Sequence, residues 1–443
     1  MEKIFASDDY RINKIIDKMV ELNILDNNDF RKYSEMFCKK QNEWEQEKRE
    51  IDKKCKILRL HLLWNDRIGE LLSRCTSIWY KNTKEYSVLN LYMMQKHIHV
   101  NIRLERILGR TINIINKYEE RKYFWLYFIL NLDLHFLNNY DSVWSEWEMF
   151  LRVRCNISRS SFPLEWVAEH MLMTREEENE GERKAVKIGI KKPFVCIFNR
   201  DSSYLNSTRP NYDWSYHNYR DSKIECFRDM IKYCAENKLK CVRMGRVVSK
   251  TINHSNCVDY ANLAYDELMD IWLAKHCSFW VGDESGINLL PRVFNKLCLT
   301  TNVGTFSCIG YENIPLNPNS LYIFKRYYSM EYNRLLTLEE MLHVDKHINF
   351  RGENFAKFGI RLIDNTASEI RNATADLYNY MCGNQIYDKF DLRLQQQFQY
   401  LLRDWQIQCG YDMDSVIIGN VAPSFIRNNQ YLLDRKESEF LKM

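Results

Sequence analysis

Proline and glycine are scarce, seven and 14 among 443 residues, which excludes a collagen-like, linker-dominated or disordered chain. Long hydrophobic runs are missing too. The most apolar segment, Phe124 to Leu130, is broken by Asn131 and Asp133 and falls short of the roughly 18 residues of a membrane span. Met1 to Lys18 carries charge at nearly every third position, without the apolar stretch of a secretory signal. The expected location is therefore cytoplasmic, with peripheral association at the inner face of a membrane left open. The 14 cysteines contain no Cys-x-x-Cys pair, so reduced thiols serving as small apolar fillers are expected in place of a zinc site or a disulfide framework. Of ten histidines only His343 and His347 lie four apart, across a polar stretch that reads as poorly helical; no metal site is expected. An excess of charge of one sign is nearly absent: 63 basic against 59 acidic residues leave +4, too little for a nucleic-acid footprint. Gly-x-Ser-x-Gly, Gly-x-x-x-x-Gly-Lys-Ser/Thr and Gly-x-Gly-x-x-Gly do not occur, which removes the common hydrolase, P-loop and dinucleotide signatures.

What is present is apolar mass. Hydrophobic residues make up 45% of the chain and aromatic ones 14%, enough for more than one core; at about 150 residues per domain, two domains are expected. Residues 9 to 54 read as an amphipathic helical extension, with Ile12, Ile15, Ile16, Met19 and Val20 on one stripe. Its dense charge fits a solvated face or a partner-binding helix. Lys56 to Trp64 reads as a strand, Glu70 to Tyr80 as a helix and Tyr86 to Met93 as a strand, which together make a βαβ unit. The run from Thr174 to Lys184 has no apolar residue and is expected to be a linker.

After Pro193 strands and helices alternate. Phe194 to Phe198, Leu239 to Met244, Cys277 to Val281 and Lys296 to Thr300 read as strands. Ser222 and Glu225, at capping-box spacing, open a helix; Tyr265 to Lys275 and Ile287 to Phe294 read as two more. This alternation implies an α/β fold with a mostly parallel sheet, whose ligands lie beyond the carboxyl ends of the strands.

Three loops leave those ends. The first holds Asn199, Arg200, Asp201 and Tyr204, then Asp213, Trp214, Tyr216 and His217; the second holds Arg243, Gly245 and Arg246; the third is Gly282-Asp-Glu-Ser285-Gly286. Arg200 and Arg243 can grip phosphate through paired hydrogen bonds or close internal salt bridges, Arg200 with Asp201 or Asp221. Ser285 and Gly286 can present amide groups to an anion, or Ser285 can simply cap its helix. Asp283 and Glu284 disfavour a phosphate there unless they face a sugar hydroxyl. Trp214 and Tyr216 are packing residues or a loop folded over something polar. Following the first strand, Arg67, Gly69 and Glu70 are placed to face a ligand, with Glu70 a candidate general base or merely an acidic helix start.

Read together, Val195-Cys-Ile-Phe-Asn-Arg-Asp-Ser-Ser-Tyr-Leu-Asn206, Tyr212-Asp-Trp-Ser-Tyr-His-Asn-Tyr-Arg220, Val242-Arg-Met-Gly245, Val258-Asp-Tyr-Ala261 and Phe279-Trp-Val-Gly-Asp-Glu-Ser-Gly286 form an ordered set. With Arg67-Ile-Gly69, Asp364-Asn-Thr-Ala-Ser-Glu369 and Gly419-Asn-Val-Ala-Pro-Ser-Phe425, it resembles a family of bacterial glycosyltransferases from surface-polysaccharide gene clusters. The resemblance spans about four fifths of the chain, and it is the joint order of the motifs that is specific. It implies a GT-B enzyme: two Rossmann-like domains facing a central cleft, the C-terminal one holding a nucleotide-sugar and the N-terminal one a glycan or glycolipid acceptor. No metal or cofactor is implied, and the sugar is of hexosyl or deoxyhexosyl type. Carried over, Arg200, Tyr204, Arg243, Gly245, Ser285 and Gly286 bind the donor, and Arg67, Gly69, Trp214 and Tyr216 line the acceptor side. Where the family often carries histidines this chain has Phe198 and Glu70, so Glu70 and Asp201, with Asp66 beside them, are the candidate bases; without a base the chain would be an inactive nucleotide- or glycan-binding protein of the same fold. The expected plan is an extension over 1–54, an acceptor domain over 55–173, a linker over 174–192, a nucleotide-sugar domain over 193–382, and a helical segment over 383–443 packing back on the N-terminal domain. On this reading Arg243→Ala loses donor binding without unfolding.

Overall fold

The computed structural model of the protein describes residues 57–63, 68–69, 71–72, 88–94, 100–110, 114–115, 168–169, 171–208, 210–211, 213–263, 265–308, 317–348, 351–409 and 419–434. The expected extension over 1–54, with Asp66, Arg67 and Glu70, lies outside the described residues. The chain divides into two compact units, Met1–Ser158 and Arg159–Met443.

In the first unit β1 (Ile57–Leu63), β2 (Val88–Met94) and β3 (Ile114–Ile115) form a parallel sheet in that order, with Ile57 opposite Val88 and Tyr92 opposite Ile114. Helix α1 (Ile102–Leu108) follows β2 and opens on Asn101, whose side chain accepts from the Leu104 amide at 2.8 Å. That bond satisfies one of the helix's orphan donors. The strands expected over Lys56 to Trp64 and Tyr86 to Met93 are thus present and parallel.

The second unit opens on a correction. The polar run expected as a linker is helix α2 (Arg175–Lys187), closed at its start by a capping box between Thr174 and Glu177. Gly181 lets the polar run lie against Trp272, where a Cβ would stand 2.3 Å from the indole, and Ala185, just beyond that run, is buried on the same helix. Its charges are used as well: Lys184 pairs with Asp266 and Glu178 with Lys275 and His276.

The unit's sheet has seven strands, all parallel, in the order β13-β9-β8-β7-β4-β5-β6. They are β4 (Phe194–Phe198), β5 (Lys240–Arg243), β6 (Cys257–Val258), β7 (Trp280–Asp283), β8 (Cys298–Val303), β9 (Leu321–Phe324) and β13 (Asn420–Val421). Between β9 and β13 a small antiparallel sheet is built from β10 (Arg326–Ser329), β11 (Arg334–Leu335) and β12 (Ile360–Ile363). Both faces of the large sheet are covered, so β4, β7 and β8 read as continuous apolar or small residues and are buried along nearly their whole length. Expected and observed strands overlap but shift by up to three residues. Cys277, for example, still closes α4 (Glu267–His276) through its amide on the Leu273 carbonyl at 2.9 Å.

Counted from β4, the order reads 3-2-1-4-5-6 with β13 added at the edge. The chain moves outward from β4 through β5 and β6, then returns to the other side of β4 as β7. That reversal, between β4 and β7, is a topological switch point, the place beyond the strands' carboxyl ends where sheets of this kind bind ligands.

Two further expectations are corrected. Ser222 caps no helix: a 3₁₀ turn over Ile224–Phe227 precedes α3 (Arg228–Glu236), and the Ser222 hydroxyl goes to Asp283. The C-terminal segment packs on the sheet of its own unit. In helix α7 (Lys389–Gln408) Leu394, Phe398, Leu402 and Trp405 are buried at helical spacing, and Phe398 meets Tyr322, Phe324 and Phe306 at ring distances of 6.2, 5.6 and 6.4 Å. The chain then supplies β13 as a sheet edge. Helices α5 (Leu338–Ile348) and α6 (Ala367–Met381) complete the cover. His343 and His347 sit one turn apart on α5, with ring centroids 5.7 Å apart, so that stretch is helical after all. No helix among the described residues is long and apolar enough to cross a membrane.

Candidate functional site

At the switch point a buried carboxylate ties the strand ends together. Asp283, the last residue of β7, has no exposed surface. It accepts from the Arg200 amide at 3.0 Å, Thr301 Oγ1 at 2.7 Å, Asn302 Nδ2 at 2.8 Å and the Ser222 hydroxyl. Burial pushes its pKa up against those four bonds, which favour the ionised form. Asn302 in turn exchanges two hydrogen bonds with Asn365, at 2.7 and 2.8 Å. The acid therefore faces neither phosphate nor sugar; it joins β4, β7 and β8. Glu284 is turned inward too, toward the Gly304 amide at 3.3 Å and Arg220 at 3.6 Å.

Arg200, just after β4, is 6% exposed. Its guanidinium donates to Asp221 and to the His217 carbonyl at 3.2 Å. Burial, and after it the neighbouring Arg220 guanidinium, pushes its pKa down to about 10. Of the two readings of this arginine, the structure shows the internal salt bridge, with Asp221 as its partner. Asp221 is itself fixed, since Lys325 at the end of β9 donates to its carbonyl at 2.6 Å and to Asp364 at 2.8 Å.

Arg243 is committed elsewhere. It is fully buried and donates to Asn199 Oδ1 at 3.0 Å, to the Lys250 carbonyl and to Asp259 at 3.4 Å. A guanidinium with no exposed surface and internal partners acts as a tie across β4, β5 and β6 and offers no face to a diphosphate. The expected contact is corrected on that ground. Gly245 follows at φ +145°.

Ser285 precedes a 3₁₀ turn over Gly286–Asn288 and makes no side-chain cap bond, so the plain capping reading fails. Ser285 is half-buried and Gly286 exposed. Asp201 accepts from the Ser203 amide at 2.9 Å and from the Ser249 amide and hydroxyl at 3.0 and 3.1 Å; it pins the loop after β5 to the loop after β4. Tyr204 is half-buried on the short helix Ser203–Thr208. Trp214 is buried and stacks with Tyr216 and His217, each with centroids 6.2 Å away, while Arg351 lies 5.5 Å over Tyr216. Gly69, in the first unit, is buried.

The structure thus brings Arg200, Asp201, Ser285 and Gly286 to one sheet edge and turns Arg243, Asp283 and Glu284 inward. Sequence reasoning did not single out Arg220, which closes one of the motifs and which the fold brings to Glu284. Only the fold distinguishes it from the other arginines. No group of three or more metal-ligating side chains occurs among the described residues.

No family model matches the chain and no curated protein does. Solved structures do. A glycosyl transferase of family 9 from Veillonella parvula is 10% identical over 72% of this chain and 96% of its own, at a TM-score of 0.41. E. coli ADP-heptose LPS heptosyltransferase II is 10% identical over 55% of this chain and 83% of its own, at 0.30. Both likenesses are distant in sequence and in geometry.

Proposed function

We propose that the protein is a glycosyltransferase that moves a hexosyl or deoxyhexosyl group from a nucleotide-sugar to a hydroxyl of a surface glycan or glycoconjugate. The observation that carries this is that Arg200 follows β4 while Arg220 reaches Glu284, the residue after β7, at 3.6 Å, which puts two guanidinium groups at the switch point beside a turn whose Ser285 hydroxyl is not spent on capping. Two guanidinium groups at a strand end suit a diphosphate through paired, charge-assisted hydrogen bonds. The ordered motifs described above support the same reading.

In the reaction the bond from the anomeric carbon to the diphosphate oxygen breaks and one to the acceptor oxygen forms. The acceptor proton passes to a carboxylate, Glu70 or Asp201. The diphosphate departs with its charge spread over Arg200, Arg220 and the Ser285–Gly286 amides, so guanidinium groups do the work that a metal does elsewhere. Arg243 holds Asn199 and Asp259 in place behind them. A location in the cytoplasm, at the inner face of a membrane, fits an acceptor carried on lipid.

The second reading, a non-catalytic nucleotide- or glycan-binding protein, is favoured by Asp201, whose carboxylate is already engaged by three donors. Calorimetry with nucleoside diphosphates and nucleotide-sugars, followed by a donor-hydrolysis assay, separates the two. Binding with release of diphosphate is expected, and Arg220→Ala is expected to weaken binding by about tenfold or more. Binding without turnover across the panel selects the second reading. Unchanged affinity in Arg220→Ala overturns the site.

A further inference from the structure

The cations at the strand ends each have an acid beside them. Arg200 is paired with Asp221, Lys325 with Asp364 at 2.8 Å and Arg220 with Glu284 at 3.6 Å. Asp283 adds a buried carboxyl whose four donors are all uncharged: an amide, two hydroxyls and a side-chain amide. The set is therefore three bases, Arg200, Arg220 and Lys325, against four acids, Asp221, Asp283, Glu284 and Asp364. A place of this composition holds an anion by the geometry of its donors, and net charge gives it little help.

Of the four acids, Glu284 adjoins both parts of the proposed anion site. It immediately precedes Ser285 in the chain, and its Oε1 lies 3.6 Å from Arg220 Nη1. Its Oε2 accepts from the Gly304 amide at 3.3 Å, on the loop after β8. The residue is buried, so the carboxylate is held in place and water screens it little. Its charge reaches the Arg200 guanidinium as well. An anion oxygen accepting from the same Arg220 nitrogen would lie within roughly 7 Å of this carboxylate. A carboxylate has no proton to donate to a phosphate oxygen, so at that range it acts on the anion by repulsion.

We infer that Glu284 is a specificity-determining residue: it selects a diphosphate closed by an ester, as in a nucleotide-sugar, over the free nucleoside diphosphate, which carries one more negative charge. The inference deepens the proposed function and rests on it. The terminal phosphate of a free diphosphate loses its second proton at about pH 6, whereas a diester has only its first to lose. Sugar transfer turns the one into the other. The carboxylate that tolerates the donor therefore opposes retention of the product.

The test compares UDP, ADP and GDP with their β-methyl esters, diesters that add almost no contact surface. Dissociation constants are measured by calorimetry at about pH 8, where the free diphosphates are fully ionised. Wild type is expected to bind the ester of at least one of the three about threefold more tightly than the free diphosphate. Glu284→Gln, close in shape and uncharged, should reverse that order by gaining about fivefold on the free diphosphate while the ester changes less. Glu284→Asp keeps the charge and should keep the wild-type order. A purely structural role would shift ester and free diphosphate together, so the ratio of the two affinities is the readout. Thermal unfolding checks that Glu284→Gln is folded; should it not fold, the wild-type order decides. A wild type that prefers the free diphosphate overturns the inference, and so does a folded Glu284→Gln with the wild-type ratio; in both cases the donor site itself still stands. If wild type binds none of these ligands, the donor assignment fails and the inference with it.

Discussion

At the scale of single residues, the charged groups that read most plainly as ligand contacts are all engaged by protein atoms, and they differ in where they are held. Arg243 and Asp283 are fully buried ties, whereas Arg200, paired with Asp221, follows β4, and Arg220 reaches Glu284, the residue after β7. Arg243→Ala is accordingly expected to cost about 3–5 kcal/mol in urea denaturation, because it leaves Asp259 and Asn199 without their buried partner. Retention of wild-type stability in that variant would return Arg243 to the list of ligand contacts. Asp283→Ala should cost a similar amount, about 3 kcal/mol, since four donors then lose their acceptor. From sequence alone both residues were legible as important, by their place at strand ends. Their direction was not, because a side chain's partners at |i−j| of 16 to 83 residues are set by strand order and not by local pattern.

At the scale of elements, the helix α2 shows how a polar run becomes structure. Thr174 followed by Glu177 has capping-box spacing, but the absence of apolar residues from Thr174 to Lys184 masked both the cap and the close approach that Gly181 permits. Gly181→Ala, normally a gain in a helix, is expected to destabilise the unit by about 1–3 kcal/mol, because the new methyl collides with Trp272. The pairing of α2 with α4 also carries a pH dependence. His276 lies between Glu178, with its Nε2 at 2.6 Å, and Lys192, with its Nδ1 at 3.1 Å. Burial lowers its pKa, so the folded state resists a proton that the unfolded chain accepts near pH 6.5. The contribution of His276 is complete above that pH and is lost as pH falls through the folded value. Thermal unfolding should show stability declining below about pH 6.5 in wild type and a flatter profile in His276→Gln. The helix at His343 and His347 was misread for a related reason: its buried residues, Met341, Leu342, Val344 and Ile348, are spaced for a helix but diluted by charge.

At the scale of the whole molecule, the second unit is completed by its own C-terminus. Residues 389–408 supply the helix that covers Phe306, Phe324 and Tyr322, and Asn420–Val421 the last strand. A chain ending at residue 382 is therefore expected to lose cooperative unfolding and to bind a hydrophobic dye; a cooperative transition in that truncation would mean the sheet is sufficient without its cover. Phe398→Ala in the intact chain is expected to cost about 3–5 kcal/mol. The amino-acid sequence by itself determined the α/β class, the alternation of strands and helices after Pro193 and the strand-end position of the candidate residues. These follow from periodicity and from the chemistry of turns, which act over a few residues. The tertiary structure alone decided the 3-2-1-4-5-6 strand order, the inward turn of Arg243 and Asp283, the pairing of Arg200 with Asp221 and of Arg220 with Glu284, and the destination of the C-terminal helix. Each of these depends on which distant segments compete for the same buried surface, and that competition is resolved only when the core is packed.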